Sequence, residues 1–429
     1  MLKNIFNYKI DSACGGQRYT MNIKIIDGGV TAPQGFEAAG ISASIKYQNR
    51  KDMALIYSKV SAITAGTFTT NVVKAAPVLW DMDIVNNYQT ARCIIVNSGT
   101  ANACTGQKGM EYCKRTAAGA ATLLNIEEKE VLLGSTGVIG IKLPIEKIEA
   151  GLSLLVNEKA STETAGNDAA LAIMTTDTVK KQIAVQVEIA GKTVTIGGIS
   201  KGSGMIHPNM CTMLAYVTSD VAITKEILTD MVNEITADTY NMISVDGDTS
   251  TNDTLLVLAN GLAGNPLISG KNEDYQVFKN ALYYVNEYLA KMMAKDGEGA
   301  TTLIEMQVVG AATKEDARML AKSVVGSSLV KAAVYGRDAN WGRIFCALGY
   351  SGVIFDPDKV SLGFESEAGY IRICDDGCGL DFDENKAKEI LSTDQITIIV
   401  NMNMGGASAT AWGCDLTEEY VKINADYRS

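Results

Sequence analysis

Apolar and polar residues alternate along Gln182-Ile-Ala-Val-Gln-Val-Glu-Ile189, stop at Ala190-Gly191-Lys192 and resume, which predicts a β-hairpin. The hairpin feeds a loop of small residues, Lys201-Gly-Ser-Gly-Met-Ile-His-Pro-Asn-Met-Cys-Thr212, and a second apolar run, Met213-Leu-Ala-Tyr-Val-Thr-Ser, predicts the next strand. Ala91-Arg-Cys-Ile-Ile-Val and the Val131-Leu-Leu run read as buried strands, each ending in small polar residues. Helical spacing appears after Pro144 (Ile145, Ile148, Leu152 and Leu155 on one face), over 224–243 (Leu228, Met231 and Ile235), over 274–294 and over 314–333. A glycine-rich stretch from Asp27 to Ala43 leads into an early strand. Another strand starts at Leu303, and the end of the chain is β-rich. This alternation, with no internal repeat and no low-complexity linker, predicts an α/β protein.

Composition narrows the class. At 429 residues and 47% hydrophobic, the chain can bury a large core in two domains or lobes. Its formal charge of −11 argues against nucleic acid or an anionic membrane surface as partner. The first residues carry no signal-peptide core and no apolar run reaches spanning length, so a soluble cytoplasmic protein is expected. Nine cysteines, scattered through apolar segments, read as reduced thiols, and the one close pair, Cys374 and Cys378, lacks the further ligands of a zinc site.

The single histidine limits the chemistry. A Ser-His or Cys-His nucleophile would have to use His207, inside the central loop and followed by Pro208, and a two-histidine metal site is excluded. A hydroxyl nucleophile therefore needs a carboxylate, a depressed lysine or an N-terminal amine as its base. With a pKa of about 7.7–8.0, roughly a third of such amines are neutral near pH 7.5, against about 0.1% of unperturbed lysines. Cutting Cys211–Thr212 would place that amine beside the Thr212 hydroxyl. Taken alone, the loop leaves Thr212 as an ordinary β-branched strand residue. The Val131-to-Gly140 corner offers donors of the kind an oxyanion hole requires, although such patterns are most often turns, and no phosphate-binding GxxxxGK[ST] is present. Solvated loops are the default for Lys201, for Glu298 between two glycines, and for the acidic run Ser244–Thr254, which fails the EF-hand spacing. Two arginines and a tryptophan in Tyr335–Arg343 suit turn chemistry or a subunit contact better than nucleic acid.

The segment Gly202-Ser-Gly-Met-Ile-His-Pro-Asn-Met-Cys-Thr-Met-Leu214 resembles the self-cleavage segment of the ornithine acetyltransferase family, the glutamate N-acetyltransferases of arginine biosynthesis. Cys211 stands where that family more usually has alanine, and Thr100 where it has asparagine, so no role is carried to Thr100. Matching segments run in order over essentially the whole chain. The resemblance implies an N-terminal-nucleophile-like acyltransferase fold, stacked β-sheets between helical layers. It implies self-cleavage into an α chain of 1–211 and a β chain of 212–429, assembled as α2β2, with Thr212 as nucleophile and Thr136 and Gly137 as the oxyanion pair. Thr175, Thr176, Lys201, Glu298, Asn424 and Ser429 match substrate-binding positions. The implied substrates are N-acetylornithine and glutamate. No cofactor is implied, and acetyl-CoA stays open as a second donor. An N-terminal-nucleophile aminopeptidase or amidohydrolase, with water as acceptor, is the alternative enzyme. An unprocessed binding protein is the reading outside catalysis.

Overall fold

The computed structural model describes residues 23–207 and 213–425. Among them, nine strands form one sheet and seven a second. In the first, the path runs Lys24–Ile26, Lys181–Ile189, Lys192–Lys201, Leu214–Ser219, Thr254–Ala259, Met53–Phe68, Thr90–Asn97, Val131–Ser135, with Phe36–Ile41 also paired to Met53–Phe68. The long strand Met53–Phe68 joins its two halves. Residues 53–58 pair with Phe36–Ile41 and residues 63–68 with Thr254–Ala259, while residues 53–57 and 62–63 pair with Thr90–Asn97 across a register shift between Tyr57 and Ala62. Three exposed residues, Lys59, Val60 and Ser61, mark this irregularity.

Around that bend the sheet folds back on itself. A Cβ added at Gly134 would lie 2.0 Å from the Tyr216 hydroxyl oxygen, although Tyr216 is several strands away along the path. Ile56, Ile94, Val96 and Leu132 of one half pack with Ile199, Leu214, Tyr216 and Leu256 of the other in a shared core. On the outer side of the first half, Cys93, Ile95 and Leu133 meet helices Gln107–Leu124 and Ile145–Glu158. Val185, Val187, Ile196, Val217 and Val257, on the second half, share a core with helices Lys225–Asp238 and Glu273–Lys295. The expected α/β architecture of stacked sheets between helices is present. Strand alternation explains it: both faces of these strands are apolar because both are covered.

Glu273–Lys295 also contacts the second sheet, which is backed by helix Lys314–Val325. The two lobes are thus joined through one continuous core, and the residues after position 212 do not form a unit of their own. Leu214–Ser219 and Thr254–Ala259 lie between Lys192–Lys201 and Met53–Phe68.

Two helix expectations are corrected. The 224–243 helix ends at Asp238, where Thr239 leaves helical geometry (φ −123°, ψ −86°) and a short 3-10 turn, Tyr240–Met242, follows. The 314–333 stretch is two helices, Lys314–Val325 and Ser328–Tyr335; Gly326 and Ser327 separate them, and the Ser327 hydroxyl accepts from the Val330 amide to start the second. The described cysteines are all free thiols, and no group among the described residues could hold a metal ion. No described helix is long and apolar enough to cross a membrane.

Candidate active site

The strand ends of the two stacked halves meet at one edge. Leu214 pairs with Lys201 on one side and with Thr254 on the other, so Met213 stands at the strand's start between Lys201 and Asp253. From the opposite half, Val131–Ser135 ends at Thr136 and Gly137. A cavity of about 230 Å³ opens between them, lined by Thr136, Gly137, Thr175, Thr176, Lys201, Glu298 and Asn424 together with Met213, Asn252 and Asp253. Seven of the residues singled out from sequence are therefore brought together. Cys211, Thr212 and Ser429 lie outside the described residues, and Met213 is the nearest described neighbour of Thr212.

Backbone pairing holds the Thr136–Gly137 corner. The Thr136 amide donates to Asn97 O at 3.0 Å, the Val138 amide to Gly99 O at 3.2 Å, and Ala101 N to Val138 O at 2.9 Å. Gly137, between these bonded residues, has φ +126°, and a Cβ there would sit 2.3 Å from the Gly99 carbonyl carbon, so only glycine fits. Its amide makes no hydrogen bond among the described residues. Lys201 Nζ donates to Thr136 Oγ1 at 3.3 Å, which occupies a lone pair and leaves the hydroxyl proton free to donate. Thr136→Val, which removes that donor at nearly constant volume, is expected to lower kcat about 10²-fold with a smaller change in KM; steady-state kinetics check it.

Lys201 is not the solvated loop charge that is its default reading. It is buried, and burial first, then the Lys181 cation, lower its pKa, while Asp177, Glu298 and Asp253 oppose the shift. Asp177, which sequence reading passed over, organises this cluster. It accepts from Lys181 Nζ at 2.7 Å, from the Gly202 amide at 2.7 Å and from the Thr175 amide at 3.0 Å. Burial alone would raise its pKa, but Lys201 and Lys181 hold it well below the usual carboxylate range. Lys181 also donates to Asp296 at 2.6 Å, and Asp296 in turn accepts from the Thr178 amide.

The acidic run is corrected as well. It is not simply solvated, because its carboxylates fasten both ends of the central loop. Asp246 accepts from the amides of Met205 (2.5 Å) and Ile206 (2.8 Å), and buried Asp253 accepts from the Met213 amide at 2.8 Å. Burial raises the Asp253 carboxyl well above its ordinary range, against the pull of the Met213 amide, Thr69 and Lys201. Glu298, also buried, is placed by its own amide on Ser203 O at 2.8 Å and accepts from Asn424 Nδ2 at 2.8 Å. Thr176 Oγ1 lies 2.8 Å from Ser203 Oγ. The sole histidine stands apart: His207 Nδ1 is 2.9 Å from Ser244 Oγ, neither residue lines the cavity, and burial followed by Lys322 lowers the His207 pKa to about 4.

A profile of the ArgJ family matches residues 37–429. The chain is 53% identical to the arginine biosynthesis bifunctional protein ArgJ 1 of Clostridium acetobutylicum over 394 residues, 92% of this chain and 96% of that one. It is 50% identical to the ArgJ protein of Caldanaerobacter subterraneus over 407 residues, 95% and 100% of the two chains. The crystal structure of an ArgJ protein from Bacillus halodurans is 46% identical, covering 50% of this chain and 99% of that one, with a TM-score of 0.48. On the family profile and the near-full-length identity to these relatives, the chain belongs to the ArgJ family.

Proposed function

We propose that the chain is a glutamate N-acetyltransferase of arginine biosynthesis that first cleaves itself at Cys211–Thr212. One observation carries most of the weight: Met213, covalently next to Thr212, lines the same cavity as the Thr136–Gly137 corner, Lys201 and Glu298. In the first stage Thr212 Oγ attacks the Cys211 carbonyl carbon, the peptide nitrogen leaves as the new Thr212 amine, and water hydrolyses the resulting ester. The Thr212 amine then takes the Oγ proton as Oγ attacks the acetyl carbonyl of N-acetylornithine. Thr136 and Gly137 donate to the tetrahedral oxyanion, ornithine leaves with the proton, and an acetyl-Thr212 ester remains. The amine of glutamate attacks that ester, and N-acetylglutamate departs as Oγ regains its proton.

The binding groups suit these substrates. Lys201 supplies a point cation for the substrate carboxylate, and Glu298, oriented by Asn424, supplies a carboxylate for the ornithine ammonium. The reading includes an α2β2 assembly in the cytoplasm, with acetyl-CoA open as a second donor. Incubation with N-acetylornithine and glutamate is expected to yield equal amounts of ornithine and N-acetylglutamate, with parallel-line ping-pong kinetics. Acetate in place of N-acetylglutamate would identify a hydrolase and overturn the proposal.

A further inference from the structure

A second cavity, of about 210 Å³, adjoins the first and shares Gly137, Val138, Thr175 and Thr176 with it. Its charged lining differs: the acids Glu298 and Asp253 face the first cavity beside one cation, Lys201, whereas the cations Lys46 and Arg50 line the second beside one acid, Asp52. Both cations approach the ring of Tyr47, Lys46 Nζ at 4.9 Å and Arg50 Cζ at 5.7 Å from its centroid. Neither forms an ion pair with a carboxylate among the described residues. The one acid lining this cavity, Asp52, is already engaged, its two oxygens accepting from the Ala43 and Ile45 amides at 2.6 Å each.

Arg50 uses only Nη2, donating to Met174 O at 2.9 Å and Thr175 O at 2.6 Å. That leaves three of its five N–H groups without a partner among the described residues. The same two bonds fix the Met174–Thr175 turn, so the guanidinium is held against the partition between the cavities. Both cations approach the same ring, and the acid beside them, Asp52, is committed to two backbone amides, so an anion bound in this cavity would be attracted by both.

The two substrates of the proposed reaction set a matching problem. Both react at one acyl-enzyme, yet ornithine ends in an ammonium and glutamate in a carboxylate. A subsite built on Glu298 attracts the first and repels the second. We propose that the side-chain carboxylate of the acceptor is bound in the second cavity by Lys46 and Arg50, so that donor and acceptor share the reaction centre and diverge at their far ends. This assignment rests on the acetyl-transfer reading above.

Kinetics of the self-processed enzyme test it, with N-acetylornithine as donor and glutamate as acceptor. Lys46→Gln is expected to raise the glutamate KM roughly five- to twentyfold, the range for a half-buried charge-assisted contact, while changing the N-acetylornithine KM less than twofold. The same variant should lose preference for glutamate over glutamine, Lys46→Arg should restore it, and Lys46→Glu should reject glutamate further. Equal changes in both KM values, or an unchanged glutamate KM, would overturn the assignment. So would an effect confined to acetyl-CoA as donor, which would give these cations to the phosphates of a thioester. A wild-type enzyme that makes no N-acetylglutamate would instead refute the acetyl-transfer reading.

Discussion

Replacing Thr212 by alanine is expected to leave a single uncut chain of 45.7 kDa with no detectable acetyl transfer. One hydroxyl serves both stages in the proposed mechanism, so its removal abolishes the cut and the transfer together; no other donor compensates. The oxyanion corner without its nucleophile retains binding but forms no acyl-enzyme. Thr212→Ser keeps the hydroxyl and is expected to be cut and to retain measurable transfer. Intact-mass spectrometry and a denaturing gel read the processing, and product analysis reads the transfer. A Thr212→Ala protein found cut, or found active, would sink the mechanism. In the wild type the fragments 1–211 and 212–429 should co-elute under native conditions. Leu214–Ser219 is hydrogen-bonded on both edges, to Lys192–Lys201 from before the cut and to Thr254–Ala259 from after it. Separating them would break a central strand out of a shared core.

Local pattern made much of this fold legible. The hairpin 182–201, the strand after position 213 and the helix after Pro144 follow from spacing alone, because each buries a face whose period matches its geometry. The folding-back of the large sheet was not legible, since it depends on a register shift within Met53–Phe68 whose residues are all compatible with a straight strand. In the site, Thr136, Gly137, Lys201, Glu298 and Asn424 came from family resemblance; by composition and spacing the first two favoured a turn, and Lys201 and Glu298 solvated loops. Burial decides their character, and burial is a long-range property. Asp177 carried only a local signal, Lys181 four residues on, and its partners Gly202 and Lys201, which tie it to the site, are distant in sequence. The acidic run carried a partial signal, since carboxylates flanking a constrained loop are candidates to accept its amides. The spacing of Asp246 and Asp253 gives no hint that they clamp opposite ends of that loop.

Asp177→Ala is expected to destabilise the protein by about 3–5 kcal/mol and to lower kcat/KM sharply. The magnitude follows from what would be left behind. Lys181 and Asp177 are both fully buried as side chains, and Lys201 is buried beside them, so removing the carboxylate leaves Lys181 with Asp296 alone and Lys201 with only the weaker pull of Glu298 and Asp253. The Gly202 and Thr175 amides lose their acceptor in the same step, and these residues carry the loop after Lys201 and the turn before Thr176. Function therefore falls with stability, because the groups that bind substrate are the ones released. The pH dependence separates this from a generic core defect. The folded pKa of Asp177 is depressed by Lys201 and Lys181, so its stabilisation is present above the unfolded value of about 4 and is lost as pH falls below it. Urea midpoints measured from pH 7 down to pH 3 should show a gap between wild type and Asp177→Ala that narrows on the acid side. A gap that stays constant over that range, or a variant as stable as wild type at pH 7, would show that the carboxylate does not hold this cluster.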